Sequence, residues 1–382
     1  MKRHFLFILI SIFLASVMCA GASAGPRKET GIGNDFPVIM RGVRPLGMGN
    51  AFTAMPGTDT NAQFYNPAAI NDFESKRHYE ISAPMADFTP RFFNLVTGLL
   101  DLRHQLHSAK SAREKIRYFE DFTTRNTGDY EQFTTGMSLF HVRHKHYAAG
   151  FIVDGRAVIS LRNQAFPNFE FKSHVTGGIV GGTAWGFFDD TLQIGGNIKV
   201  LYRAGIEDQI TTGDILIYSI KQLIGWRSWK KGFGAGADFG AKYKLPLWRE
   251  KLRPTIALTV QDIADTRFTG DVEKLPMSVT VGAGIFPVVG GNQLAILVDF
   301  RELNHQTHFL RKFHAGIEAN LPKLGQTQFA IRGGCNQGYP AVGVSANWSI
   351  MKLDLAFYGE EAGQYTQSKA NYRLDVSFSF PL

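Results

Sequence analysis

Tyr372, Leu374, Val376, Phe378, Phe380 and Leu382 alternate with Arg373, Asp375, Ser377 and Ser379 up to the carboxyl terminus. Successive side chains of a strand point to opposite faces, so this alternation gives one aromatic-rich apolar face and one charged face. A strand of that kind at the end of a chain reads as the closing strand of an outer-membrane β-barrel. A soluble domain more often ends in a polar tail that frays.

The amino terminus is consistent with export. Lys2 and Arg3 precede an apolar run from Phe5 to Met18, and Ala22-Ser23-Ala24 offers a cleavage site. Together these describe a secretory signal peptide, with an apolar run too short for a spanning helix. Cys19 raises a lipid-modified cysteine, but Ser16-Val17-Met18 is a poor approach to one. Removal of residues 1–24 leaves 382 − 24 = 358 residues, and loss of Lys2 and Arg3 takes the formal charge from +8 to 8 − 2 = +6. The expected location is the outer membrane of a Gram-negative-type bacterium, in contact with its lipid.

After the signal one cysteine remains, Cys335, so no intramolecular disulfide is expected. It lies in line with Phe329, Ile331 and Gly333 and reads as a small hydrophobe. No later apolar stretch approaches about 20 residues, which argues against helical spans. A barrel is compatible with this, because alternating strands keep mean hydropathy near neutral. The basic balance comes without a recognition helix, zinc spacing or aromatic-basic motif, so no nucleic-acid partner is expected. No cofactor or metal is expected either.

From residue 77 onward the chain reads as strands and turns. In one run Ile194, Ile198, Val200 and Tyr202 alternate with Gln193, Asn197, Lys199 and Arg203. In another, Phe313, Ala315, Ile317 and Ala319 alternate with His314 and Glu318. Charges on the second face are cheap in a wet lumen and costly in a dry sandwich core. The fold class is therefore all-β, a transmembrane antiparallel barrel of about 14 strands. They fall near 78–86, 133–142, 147–155, 173–188, 191–204, 232–246, 253–263, 276–287, 293–301, 308–321, 327–335, 340–350, 352–360 and 371–382. Short connections alternate with mostly longer ones such as 87–132, 156–172 and 205–231, as in bacterial barrels.

Two of the longer connections carry helical stripes. Phe92, Leu95, Val96, Leu99 and Leu102 recur at helical spacing, and Ala112, Ile116 and Phe119 resume after a polar break at 108–111. A second stripe begins at Asp214 and leads to Trp226 and Trp229. Such faces commonly pack on the parent domain. The functional alternative is an outer apolar surface, Phe92, Leu95, Leu99, Trp226 and Trp229, on which a greasy ligand lands.

Ahead of the strands, residues 41–72 are rich in glycine and proline and do not describe a barrel strand. The expected division is signal peptide 1–24, an amino-terminal hatch or plug 25–76, and barrel 77–382. The run Arg41-Gly42, Leu46-Gly47-Met48-Gly49-Asn50-Ala51-Phe52, then Asn61-Ala62 and Tyr65-Asn66-Pro67-Ala68 resembles the start of FadL-type outer-membrane proteins. It resembles the PorV-like branch as well. Ala69 and Ile70 stand where many members have glycine followed by leucine or methionine.

The resemblance implies a fourteen-stranded barrel with a hatch, whose residues here include Gly47, Met48, Gly49, Asn66, Pro67 and Ala68. FadL-like members pass fatty acids or other hydrophobic compounds and release them sideways through the wall. PorV-like members act as adaptors that hold a protein of a secretion or surface-assembly system. The expected function is therefore passive transport of a hydrophobic small molecule, with a non-transporting adaptor as the alternative.

Catalytic motifs are missing from the chain: it has no G-x-S-x-G, H-E-x-x-H or C-x-x-C. His141, His144 and His146 read as a solvated turn rather than a metal site, and Asp189-Asp190 as a hairpin turn. No enzymatic role is expected.

Overall fold

A computed structural model describes residues 39–128, 130–162, 168–217, 229–247, 251–362 and 369–382. A single antiparallel sheet closes on itself. Strand β1 comes in two pieces, His78–Ser82 and Met85–Phe88, and both pieces lie between β2 (Tyr130–His144) and β14 (Ala370–Pro381). The wall continues through β3 (Tyr147–Arg162), β4 (Asn168–Phe187), β5 (Leu192–Thr211), β6 (Lys230–Lys244) and β7 (Thr255–Gln261). It is completed by β8 (Ser278–Ile285), β9 (Asn292–Phe300), β10 (Phe313–Asn320), β11 (Gln328–Asn336), β12 (Tyr339–Asn347) and β13 (Lys352–Glu361). Each of these pairs with its sequence neighbours, giving a closed fourteen-stranded barrel; a two-residue flap at Val288–Val289 stands off the path. Closure leaves no sheet edge unpaired.

The number and order of strands agree with the sequence reading, whereas the lengths of β3, β4 and β5 do not. β4 and β5 run for 20 residues each, about twice the 9–11 a tilted strand needs to cross hydrocarbon. They extend beyond the short-turn end's opposite rim, into segments expected to be loops. Alternation continues there, in Ala157, Ile159, Leu161, Phe169 and Phe171, but helices rather than lipid cover that face. α3 (Phe92–Ser108), α4 (Ala112–Arg125) and a short helix α5 (Thr212–Ile217) pack with these residues into the largest apolar cluster. On β5 the change is abrupt. Ile198 and Val200 are 68% and 58% exposed on the outward face, while Ala204 and Ile206 are 2% and 4%. No helix among the described residues is long and apolar enough to cross a membrane.

The lumen is packed rather than wet. Inward-facing Gln193, Asn197, Lys199, Arg203, Lys242, Asp299 and Glu318 are all buried. The space is filled by the amino-terminal segment, which folds into α1 (Val43–Gly47), α2 (Asn61–Tyr65) and a 3-10 turn, Pro67–Asp72. Charges tolerated on the inner strand faces are matched by ion pairs: Lys199 lies 2.7 Å from Asp238 and 2.6 Å from Asp262.

At one place the wall is interrupted. Pairing between β1 and β2 stops at Glu80–His141 and resumes at Met85–Gly136. Pro84, which lacks an N–H, sits in the gap, and the facing strand shifts register between Ser138 and Phe140 against β3. The glycine-rich stretch 177–182 of β4, by contrast, pairs continuously with both neighbours.

Candidate functional site

The plug is held to the wall by close backbone approach and by buried ionic contacts. In its first half Gly47 meets Gly343: a Cβ on either residue would lie 3.0 Å from the other's Cα. Met48 is fully buried, and its carbonyl oxygen would lie 2.1 Å from a Cβ on Gly316. Gly49 has φ +63° and sits between strand backbones, where a Cβ would be 2.5 Å from Ala315 O and 2.6 Å from Cys335 N. The glycines of the wall and those of the plug are therefore complementary.

Arg44 is the ionic hub. Its Nε and Nη2 donate to the two Glu318 carboxylate oxygens at 2.8 and 2.6 Å, and its Nη1 donates to Thr58 Oγ1 and Asp59 Oδ2. This two-pronged geometry is particular to guanidinium and carboxylate. Glu318 also accepts from Arg332 Nε at 2.5 Å. Across the lumen Asp299 Oδ2 accepts from Phe52 N, Thr53 N and Thr53 Oγ1 at 2.7–2.9 Å. Sequence reasoning missed these contacts, because the links from plug to wall, Arg44 to Glu318 and Phe52 and Thr53 to Asp299, join positions 246–274 apart.

In the second half, Asn66 has extended backbone, and its Oδ1 accepts from Ala68 N at 3.0 Å, capping the 3-10 turn that begins at Pro67. Its Nδ2 donates to Thr53 O and, in the wall, to Ala241 O. Pro67 and Ala68 are buried against wall glycines, with the Pro67 carbonyl oxygen 2.6 Å from a Cβ built on Gly195. Asp72 closes the segment, accepting from Lys242 at 2.5 Å, Gln193 at 2.6 Å and Lys244 at 3.2 Å. The six residues singled out in the plug are thus placed on two separate arcs of the wall, β10–β12 and β5–β6.

Burial alone would raise the carboxyl pKa values of Asp59 and Asp72. The cations Arg44 and Lys352 outweigh it at Asp59, and Lys242 and Lys244 at Asp72, so both stay below the ordinary range. A depressed carboxyl stabilises the docked state above its unfolded value, about 3.9, and that stability is lost only as pH falls through the lowered value. Protease protection of the plug is therefore expected to persist from pH 7 down to about 4 and to fail only in stronger acid. Release already between pH 6 and 5 would show that these pairs do not hold it.

Two of the cavities among the described residues lie toward opposite ends of the lumen. The inner one, near the short turns, has a volume of about 310 Å³. Its arc on β14, β1 and β2 carries Phe378, Ala83, Met85 and Met137, and the plug adds Met40, Met55 and Phe64. Its other arc, on β10–β13, is ionic, with Glu318, Arg332, Lys352 and Asp354. The interrupted stretch of β1 borders this cavity. The outer cavity, about 350 Å³, is lined by Lys172, His174, Arg203, Glu207 and Glu273. Arg203 is fully buried there, its guanidinium nitrogens have no hydrogen-bond partner among the described residues, and its charge lies 5.7 Å from the Phe268 ring centroid.

The outer-loop residues require a correction. Phe92, Leu95 and Trp229 are buried and Leu99 is half-buried within one cluster, so they form the inside of a helical cap rather than an exposed landing surface. The cause is the extended outward face of β3–β5, which the helices cover. Trp226 lies outside the described residues. The histidine cluster also divides. His141 is buried with its Nε2 2.7 Å from Gln63 Oε1, whereas His144 stacks on Tyr147 and His146 on Trp185. No group of metal-binding side chains occurs among the described residues. Asp190 forms a turn, as read, and also accepts from Asn71 of the plug at 2.9 Å.

No family model matches the chain, and no curated protein does. Solved structures do match. A deletion mutant of TodX, described as a monoaromatic hydrocarbon channel, is similar with a TM-score of 0.52 and 10% identity, over 89% of this chain and 98% of that one. The Pseudomonas putida toluene transporter TodX gives 0.47 at 10% identity, over 90% and 99%. A Pseudomonas aeruginosa FadL homologue gives 0.39 at 10% identity, over 91% and 98%. At such identity the likeness speaks to fold alone, and it rests on the first of the three: this chain shares the barrel fold of that TodX channel.

Proposed function

We propose that the protein is an outer-membrane barrel that passes a small hydrophobic molecule inward through a plugged lumen. The observation that carries the reading is the inner cavity, where Met40 of the plug and Met85 of the wall come together over Gly136 beside the interrupted strand β1. Methionine side chains are flexible and polarizable and adapt to apolar ligands of varied shape. The unpaired stretch of wall next to them offers a sideways exit that needs no ladder hydrogen bonds to break. Beside the outer cavity the buried guanidinium of Arg203 has no hydrogen-bond partner among the described residues; uncovered as a ligand enters, it would donate to a polar end, which favours an amphiphile over a plain hydrocarbon. The structural neighbour TodX is described as a monoaromatic hydrocarbon channel; the apolar cargo is common to that description and this reading, and the polar end is not.

Filling the cavity tests it. A Cβ on Gly136 would lie 3.6 Å from the sulfurs of Met40 and Met85, an ordinary contact. Gly136→Leu is therefore expected to fold and to occupy the passage. Uptake of a labelled fatty acid or toluene by cells carrying the variant should fall about tenfold or more, which corresponds to roughly 1.4 kcal/mol. Undiminished uptake would take the inner cavity out of the route.

The second reading is an adaptor that binds a protein partner and transports nothing. The ion-paired lumen between the cavities is the one observation on its side, and the channel described for the structural neighbour stands against it.

A further inference from the structure

Helices α3 and α4 turn an unusually basic elbow toward solvent. Arg103, Lys110, Arg113 and Arg117 are exposed and Lys115 is half-exposed. The only carboxylate between positions 103 and 117 is Glu114. That carboxylate is turned back onto the backbone: Glu114 Oε2 accepts from Lys110 N at 2.7 Å, while Ser111 Oγ accepts from Glu114 N. Reciprocal capping of this kind fixes the start of α4. None of the five cations forms an ion pair with a described residue.

Position gives the cluster its meaning. The helices lie on the outward face of the barrel, and their apolar side covers Phe133, Ala157, Ile159, Phe169, Phe171 and Ile206. On β5 that cover begins at Ala204, directly beyond the exposed band Ile198, Val200, Tyr202. The cap that carries the elbow therefore begins where the exposed apolar band ends, at the level where hydrocarbon gives way to headgroups. Lys and Arg near an anionic leaflet each contribute about fivefold in binding, and the attraction decays within a Debye length.

We propose that the α3–α4 elbow binds the phosphate groups of outer-leaflet lipid headgroups, holding the helical cap on the membrane surface. The proposal rests on the outer-membrane reading, with the long-loop end outward. It is tested on the full-length protein with bisphosphorylated lipid A and its dephosphorylated form, counting bound lipids by native mass spectrometry. The variant combines Arg103→Gln, Lys110→Gln, Arg113→Gln and Arg117→Gln, all at exposed positions, with heat-modifiable migration as the check of folding.

The wild type is expected to retain the phosphorylated lipid at least tenfold better, and less so at high salt. The variant should lose affinity on the order of a hundredfold. Equal retention of both lipids by the wild type would overturn the proposal, as would a preference that survives in the variant. Crosslinking of the elbow to an acidic protein, without lipid preference, would also overturn it. Orientation is read separately by labelling Ser108→Cys on whole cells with an impermeant thiol reagent. Absence of labelling would overturn the outward placement itself, a failure distinct from that of the phosphate site.

Discussion

Replacing Arg44 with methionine is expected to accelerate amide hydrogen exchange at Phe52 and Thr53 about a hundredfold or more, while wall amides keep their protection. Both amides donate to Asp299 only when the plug is docked. Arg44→Met leaves Glu318 and Asp59 buried without the guanidinium that joins them. Removing one partner of a buried pair typically costs about 3–5 kcal/mol. The low end applies here, since Arg332 still reaches Glu318 and Lys352 lies 3.5 Å from Asp59. Arg44→Lys should fall in between, because an ammonium cannot make the two-pronged contact. Exchange unchanged in Arg44→Met would mean that backbone packing alone retains the plug.

Gly49→Ala tests that packing directly, and its effect is expected to be comparable. Two costs combine. A non-glycine residue at φ +63° carries about 1–2 kcal/mol of steric strain. Overpacking a filled site adds about 1–3 kcal/mol. The contacts at 2.5–2.6 Å are to backbone atoms of Ala315 and Cys335, which cannot rotate away. The variant barrel should still migrate as folded, but its plug should become protease-sensitive. Gly181→Ala is the control: nothing lies within 4 Å of its built Cβ, and a neutral result is expected. A fully protected plug in Gly49→Ala would show that the first half of the segment is not seated against β10–β11.

Strand number and order were legible because the pattern is a surface property of each strand read alone. Ile198, Val200 and Tyr202 face outward whatever their neighbours are, and Lys199 and Arg203 face the lumen for the same reason. What fills the lumen was not legible. Arg44 reads as an ordinary basic residue until Glu318, 274 positions later, is placed beside it. Asn66-Pro67-Ala68 was recognisable as a turn because a capping asparagine and a proline are local signals. Its attachment to Ala241 is not local.

The outer cap failed for a related reason. Apolar stripes on Phe92, Leu95 and Leu99 show that a face is buried but not against what. The answer lay in the continued alternation of Ala157, Ile159, Leu161, Phe169 and Phe171, a strand signal that boundaries set at 155 and 173 cut short. Arg203 was seen to face inward, whereas its lack of a partner emerges only from the three-dimensional arrangement around it.

The most direct test of the central claim, that this plugged barrel carries a small hydrophobic molecule, is native mass spectrometry of the protein extracted gently from its own outer membrane. The expected result is a barrel bearing one defined small amphiphile that is absent from Gly136→Leu. A stoichiometric protein partner, with no such molecule in either form, would contradict the account and establish the adaptor reading.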